Sequence, residues 1–439
     1  MAAPAIRVGL IGFGTIGTGV VKLLQRQQRQ ISEKLGAALR LVRIADLDLK
    51  TDRGVKVGRK LLTNDATAIL NDPSIDIVIE LMGGYEPARR FVLAALANGK
   101  DVVTANKALL AVHGREIFAA AEKAGVDLGF EASVGGGIPI IRVLKEGLAA
   151  DHNRAVYGIV NGTSNYILTT MTNQGGEFED VLRAAQAQGL AEANPSFDVD
   201  GVDAAHKLTL LIQLALGARV RFERIPTAGI RQLSQLDISY AKDFGYVIKL
   251  LAVAKEDSDG LEAWVQPAMV PRTHLLAEVN GALNAIAVRG EALGASMYFG
   301  LGAGMMPTAT AVVADLIEVA RNRLHGSRGR VPPLGYPLAR QRTTRIKPLG
   351  ALTSEFYLRF LVQDRPGVLA RIAGILGSHG ISIASMIQRG REAGGRVPIV
   401  LRTHLSPEAE LRRALRQIDR LPVVRGKAVS IRIEDSLGQ

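Results

Sequence analysis

Cysteine is absent from all 439 residues of this chain. Its absence excludes a disulfide framework, a thiolate zinc site and a cysteine nucleophile. Seven histidines are scattered along the sequence, and no two form an HxxxH pair. No apolar run reaches the roughly 18 residues that a membrane span needs. The first residues, MAAPAIRVGLIGFG, carry no basic leader and run straight into a predicted strand, so no signal peptide is expected. Tandem repeats and low-complexity tracts are also missing. A cytoplasmic enzyme without a membrane partner is the expectation.

The length suggests about three domains, each large enough for its own core. The formal net charge is +12. Such an excess can mark a nucleic-acid partner, attract anionic cofactors and substrates, or only solvate a surface. Its one concentration is 321–347, with eight Lys/Arg and no acid. Proline and glycine interrupt that stretch, so it reads as a solvated tether and not a recognition helix. No nucleic-acid partner is expected.

Strands are predicted at 6–11, 40–46, 61–63, 75–81, 101–104 and 127–132. Helices are predicted between them at 15–35, 65–70, 87–98 and 113–124. That alternation argues for a parallel sheet covered on both faces. Beyond Gly135 the order becomes mixed. Predicted there are a helix over IPIIRVLKEGLA, a strand over AVYGIVN, and helices from Ser164 and at 178–189, 201–216 and 234–253. Strand-like pieces at 262–270 and 285–299 follow, then a helix at 307–323. From Ser354 the pattern runs strand, helix, strand, strand, helix, strand, with ISIASMIQRG as the second strand, which is the ferredoxin-like order. The fold class is therefore α/β. We place a Rossmann-type dinucleotide-binding domain at 1–134, an α+β substrate and dimerisation domain at 135–323, a basic linker at 324–353 and a ferredoxin-like domain at 354–439.

The motif GFGTIG (Gly12, Phe13, Gly14, Thr15, Ile16, Gly17) directly follows the first strand and opens a helix. Gly12 allows the tight turn, Gly14 the close approach of a pyrophosphate, and Gly17 the packing of helix on strand. Hydride transfer from a bound nicotinamide dinucleotide is thus the chemistry to consider first. Asp46 ends the second strand, where a carboxylate meets ribose hydroxyls; Lys50 and Arg53 behind it could meet a 2′-phosphate. NAD and NADP both stay open. Gly83–Gly84 and Thr104–Lys107 lie at carboxyl ends of parallel strands, where open α/β sheets bind ligands. Lys107 reads either as a surface lysine or as a group facing the nicotinamide crevice. In EASVGGGIP (131–139), Glu131 with exposed carbonyls could hold a hard cation, although a hinge or tight turn is the plainer reading.

The densest chemistry lies in EANPSFDVDGVDAAHK, which holds Glu192, Asp198, Asp200, Asp203 and Lys207. Asp203 and Lys207 are four apart and share a helix face. Such pairs are commonly solvated, yet the surrounding Val, Ala, Leu and Ile residues leave little exposed face. Buried charges of this kind must be paired or used. A lysine there can stabilise or protonate an alkoxide, and carboxylates can hold a substrate ammonium. His206 points elsewhere and reads as structural.

These residues resemble one family, homoserine dehydrogenase in its monofunctional form with a C-terminal ACT domain. The resemblance rests on GFGTIG, ELMGG, VTANKALLA, FEASVGGGIPII, GIVNGTSNYIL, GLAEANPSFDVDGVDAAHKLTLL and GLGAGMMPTATAVVADL, in that order along nearly the whole chain. It implies reversible NAD(P)-dependent reduction of L-aspartate 4-semialdehyde to L-homoserine, on the way to threonine and methionine. By the same resemblance Lys207 is the proton donor and Lys107 a second active-site lysine. Glu192 and Asp203 are homoserine ligands, with Asp198 supporting them. Gly189 and Gly304 are cofactor contacts, joining Gly83 and Thr104, which are expected to contact the cofactor from their place at strand ends. Glu131 and the carbonyls of Val134, Gly136 and Ile138 form a sodium site. Asn194 departs from the motif, which usually carries aspartate there. No kinase domain is expected ahead of residue 1, so the form fused to aspartate kinase is not. DRPGVLARIAGIL resembles ACT domains, implying an amino-acid effector such as threonine, or a domain kept only for packing; a homo-oligomer is expected.

Three rivals predict different behaviour. Another amino-acid dehydrogenase of similar build would prefer a different substrate. A non-catalytic sensor of dinucleotide and amino acid would not need a proton-donating lysine. A basic nucleic-acid-binding protein would retain DNA in a steeply salt-dependent way.

Overall fold

The computed structural model describes residues 5–389 and 395–436. Residues 1–4, at the expected leader-free start, and Gly390, the expected end of ISIASMIQRG, lie outside the described residues. Packing divides the chain into two compact units. The first comprises Met1–Gly162, Asp203–Arg224 and Ala282–Thr344; the second comprises Thr163–Val202, Ile225–Gly281 and Arg345–Gln439.

The first unit is built on six parallel strands: β1 (Ala5–Ile11), β2 (Ala38–Ala45), β3 (Leu62–Thr63), β4 (Ile77–Glu80), β5 (Asp101–Thr104) and β6 (Leu128–Gly129). Their order is β3-β2-β1-β4-β5-β6. Chain order reverses between β1 and β4, and that point is where doubly wound sheets bind dinucleotides. The apolar runs of β1 and β4 are buried, as strands covered on both faces must be. The helix expected at 15–35 is two helices, Thr15–Arg26 and Gln28–Leu35, meeting at Gln27. The helix expected from residue 113 begins earlier, at Lys107, because the Asn106 side chain accepts from Leu109 N at 3.1 Å and caps it. Helix Met305–Leu324 packs its apolar side into the same core as β1 and helix Thr15–Arg26.

Strands Asn153–Ile159, Leu283–Gly290 and Gly294–Leu301 form an antiparallel group in this unit. The piece expected at 285–299 is thus a hairpin, whose turn is pinned where Asp151 accepts from Ala292 N and Leu293 N, both at 2.9 Å. The helix expected over IPIIRVLKEGLA is a single α turn, Ile140–Arg142, running into a π turn, Val143–Gly147.

The basic stretch is not a free tether. In the first unit Arg323 pairs with Asp76 at 2.8 Å and Asp101 at 3.1 Å, Arg330 pairs with Glu146 at 3.1 Å, and Arg342–Thr343 adds a short strand beside Ala218–Arg219. In the second unit Lys347 pairs with Asp257 at 2.6 Å. The acids that satisfy these cations are remote in sequence, so the local pattern showed only unopposed positive charge.

In the second unit, strands Tyr246–Asp257 and Gly260–Pro271 form a long antiparallel hairpin. The helix expected at 234–253 therefore holds only over Gln235–Asp243. Gly245, at φ 85°, ends it, and YVIKLLAVA continues as strand. An apolar run buried on both faces carries no period that separates strand from buried helix. Strand Val429–Ile433 runs parallel to Gly260–Pro271 and antiparallel to Thr353–Gln363. Arg396–Thr403 and Ile383–Gln388 then complete the ferredoxin-like sheet. Its helices Val368–Ser378 and Glu408–Ile418 share one apolar core with these strands. Among the described residues no helix is long and apolar enough to cross a membrane.

Candidate active site

The loop after β1 leaves room for phosphate. Gly12 sits at φ 98°, and a Cβ there would lie 2.6 Å from the Leu81 backbone. A Cβ on Gly17 would fall 2.2 Å from Gly12 O, so helix and strand touch there. Gly14 has no heavy atom within 4 Å of a built Cβ, and the helix Thr15–Arg26 behind it has no side-chain cap. Open space before uncapped amide donors is what a pyrophosphate requires. Phe13 N donates to Asp46 Oδ2 at 2.5 Å, which fixes the carboxylate at the end of β2. Arg53 lies 3.5 Å from Asp46 Oδ1, with its guanidinium over the Phe13 ring at 4.9 Å. Lys50 is exposed.

At the ends of β4 and β5, a buried acid organises the loops. Glu80 accepts from Thr104 Oγ1 at 2.6 Å and from Met82 N at 2.8 Å. Burial pushes its carboxyl above the usual range, against these hydrogen bonds. Thr104 Oγ1 accepts in turn from Asn106 N at 3.0 Å, and the Asn106 amide donates to Gly84 O at 2.8 Å. Thr104 is thereby a positioning group for the turn that leads to Lys107. Gly83 adopts φ 74° beside open space.

Lys107 begins the helix after β5, and its Nζ lies 3.1 Å from Asp203 Oδ1. The other oxygen of Asp203 accepts from Lys207 Nζ at 2.7 Å and from Asn161 Nδ2 at 2.8 Å. Lys207 Nζ also donates to Val160 O at 2.6 Å. Every residue from Asp203 to Leu216 is buried, so the solvated-pair reading of Asp203 and Lys207 does not apply. Burial opposes ionisation of Asp203, but the ammonium groups of Lys207 and Lys107 outweigh it and hold the carboxyl well below the usual range. His206 stacks on Phe222 at 4.1 Å, and burial pushes its imidazole down to about 4, which leaves it neutral.

Glu131 uses both carboxylate oxygens to accept from Ile141 N at 2.7 Å and Arg142 N at 2.9 Å, at the start of a helical turn. Gly135 and Gly136 follow at positive φ, and Ile138 O accepts from Ile140 N at 2.8 Å. Among the described residues no group of three or more His, Asp or Glu is placed to hold a metal. Gly304 precedes helix Met305–Leu324 at φ 108°.

Gly189, Glu192 and Asp198 belong to the second unit. Gly189 ends the turn after helix Phe178–Ala187 at φ 70°. Glu192 is exposed, and its carbonyl accepts from Gln186 Nε2 at 3.0 Å. Asp198 is half-buried, and its carbonyl accepts from Ser164 Oγ at 3.0 Å. Sequence reasoning passed over Glu80, Asn106 and Asn161. Each lay inside a quoted motif, but nothing local marked its side chain as buried and bonded.

Three family profiles match the chain: "Homoserine dehydrogenase, NAD binding domain" over 12–131, "Homoserine dehydrogenase" over 139–317 and "ACT domain" over 356–422. The homoserine dehydrogenase of Pseudomonas aeruginosa is 44% identical over 430 residues, covering 98% of this chain and 99% of its own. The chain belongs to the homoserine dehydrogenase family. That of Neisseria gonorrhoeae is 41% identical over 429 residues, covering 98% of each chain. The crystal structure of a homoserine dehydrogenase from Thiobacillus denitrificans superposes with a TM-score of 0.93 at 46% identity, covering 99% of both chains. A hyperthermophilic archaeal homoserine dehydrogenase in complex with NADPH matches 72% of this chain and 97% of its own, at 25% identity and TM-score 0.62. The chain is accordingly an NAD(P)-dependent oxidoreductase with a C-terminal ACT domain, and that domain implies a small-molecule effector.

Proposed function

We propose that the chain catalyses reversible reduction of L-aspartate 4-semialdehyde to L-homoserine in the cytoplasm, in the biosynthesis of threonine and methionine. The observation that carries this reading is the pair of lysines on one buried carboxylate, Lys107 and Lys207 on Asp203, at the carboxyl end of β5. The open loop at Gly14 and the uncapped helix behind it fit the pyrophosphate of a dinucleotide. When bound, the reduced cofactor supplies a hydride to the aldehyde carbon. Lys207 donates a proton to the oxygen that becomes the alcohol, and Lys107 adds positive charge as that oxygen becomes negative. Asp203 accepts from Lys207 Nζ and pairs with Lys107 Nζ, and so fixes the position of both ammonium groups. Glu192 is assigned to the substrate ammonium, with Asp198 in support.

Asp46 offers an acceptor for ribose hydroxyls and Arg53 a cation for a 2′-phosphate. The archaeal relative's complex with NADPH favours trying NADP first. A sodium ion there would draw on Glu131 and on the carbonyls of Val134, Gly136 and Ile138, while the Glu131 carboxylate also anchors the amides of Ile141 and Arg142. No step requires that ion, and replacing sodium with choline while following thermal stability tests it. The edge strand Gly294–Leu301, with Phe299 and Leu301 exposed, is the surface we assign to a second copy, tested by light scattering.

The loop 363–369 of the ACT domain lines a cavity of about 350 Å³ with Asp364, Arg365 and Gly367, suited to an amino-acid effector such as threonine. The deciding assay follows nicotinamide absorbance with L-homoserine, NAD and NADP in parallel, and threonine added last. Turnover supports the reading. Dinucleotide binding without turnover turns it toward a sensor or toward another amino-acid substrate.

A further inference from the structure

The ends of β4 and β5 are joined by a closed set of hydrogen bonds through Glu80, Thr104 and Asn106. These residues are 1%, 0% and 6% exposed, so water competes little for their bonds. Glu80 accepts from Thr104 Oγ1, and Thr104 Oγ1 accepts from Asn106 N. Asn106 then uses both ends of its side-chain amide. Its Nδ2 donates to Gly84 O at 2.8 Å, and its Oδ1 accepts from Leu109 N at 3.1 Å.

Each of the two bonds fixes something that the chain leaves loose. Gly83 and Gly84 lie at φ 74° and 70°, and no heavy atom comes within 4 Å of a Cβ built on either. Glycine has more backbone freedom to lose than any other residue, so an unpacked pair needs a tether. The Asn106 amide nitrogen supplies one at Gly84 O. The amide oxygen caps helix Lys107–Ala124 at its first turn. That turn sets where the Lys107 stem leaves the backbone, and its Nζ reaches to 3.1 Å from Asp203 Oδ1. We propose that Asn106 is a positioning residue with two separate duties. Its amide nitrogen holds the dinucleotide loop at Gly83–Gly84, and its amide oxygen holds the helix start that carries Lys107. One planar group thereby sets the spacing between the cofactor loop and that lysine. This role rests on the catalytic reading of Lys107 given above.

Two substitutions in the full-length protein separate the duties. Serine caps helices about as well as asparagine, but its hydroxyl stops one bond short of the Nδ2 position; alanine does neither. Gly84 is exposed, so water can replace the lost donor at its carbonyl. Asn106→Ser should therefore stay close to the wild-type melting temperature. It should bind NADH and NADPH, followed by nicotinamide fluorescence, about fivefold more weakly. Asn106→Ala should show the same weakening together with a lower melting temperature. Its kcat for homoserine oxidation at saturating cofactor should fall by about tenfold or more. Wild-type dinucleotide affinity in Asn106→Ser, or wild-type kcat in a folded Asn106→Ala protein, would overturn the proposal. If Asn106→Ala does not fold, the affinity of Asn106→Ser decides. Affinity and melting temperature are read without turnover, so a wild-type protein inactive on homoserine refutes the catalytic reading and still leaves the tether open to refutation by the serine variant.

Discussion

Lys207 Nζ and Asp203 Oδ2 lie 2.7 Å apart on successive turns of one buried helix, and Asp203 Oδ1 lies 3.1 Å from Lys107 Nζ. One carboxylate thus neutralises two lysines that reach it from different parts of the first unit. Replacing Lys207 with Ala removes the proton donor and leaves the dinucleotide loop untouched. We expect kcat to fall by about 10²–10⁴-fold with cofactor affinity unchanged. Retention of wild-type kcat, measured alongside cofactor titration by fluorescence, would remove Lys207 from the mechanism.

Asp203→Asn takes away the negative charge that Lys107 and Lys207 share. Both ammonium groups then lose the carboxylate that fixes their positions, and kcat should fall by about 10²-fold. Steady-state turnover of the variant, measured beside its dinucleotide affinity, checks this. Wild-type kcat in a folded Asp203→Asn protein contradicts the counter-ion role.

Glycine contacts in the first loop predict two distinct outcomes. Gly14→Ala meets open space, so the protein should fold normally and lose dinucleotide affinity. Gly17→Ala sets a methyl 2.2 Å from Gly12 O and should lower the melting temperature as well. Thermal unfolding with and without NADP separates the two.

Lys249 is 1% exposed and donates to Val279 O at 2.6 Å, with Asn165 and Asn280 each at 3.3 Å. Burial pushes its ammonium down to about 8, only partly offset by Glu278. Below that pH the group is charged in folded and unfolded chains alike, and its burial penalty is constant. As pH rises from about 8 toward the ordinary 10.5, the unfolded chain binds more protons and the fold gains stability. Lys249→Met should abolish that gain, worth about 3 kcal/mol, in denaturant titrations across the interval.

Asp237 caps helix Gln235–Asp243 and accepts from Arg359 at 2.6 and 2.9 Å and from Tyr357 at 3.0 Å. It ties that helix to the first strand of the ferredoxin-like sheet. Asp237→Asn leaves Arg359 largely buried without its partner and should cost about 3–5 kcal/mol by urea unfolding. If the effector acts through this strand, threonine inhibition should weaken in any Asp237→Asn protein that remains folded.

Much of this was legible in the residues because it is periodic or local. GFGTIG after an apolar strand requires a turn that only glycine permits, and the alternation through 132 requires a parallel sheet. Tyr246–Asp257 was not legible, since apolar residues on every face leave no period to read. Nothing in the residues beside Arg432 marks its side chain as buried. The partners that bury Glu80, Thr104 above all, lie 24 residues away.

Taken alone, the sequence determined that Asp203 and Lys207 share a helix face, because four residues make about one turn, and that a dinucleotide loop opens the chain. Only the tertiary structure decided that Lys107 completes the pair, that Asn161 and Val160 anchor it, and that Arg432 is buried over two aromatic rings. Contacts between residues distant in sequence depend on how sheets and helices pack, and burial depends on what covers a side chain. Neither leaves a mark in the neighbouring residues.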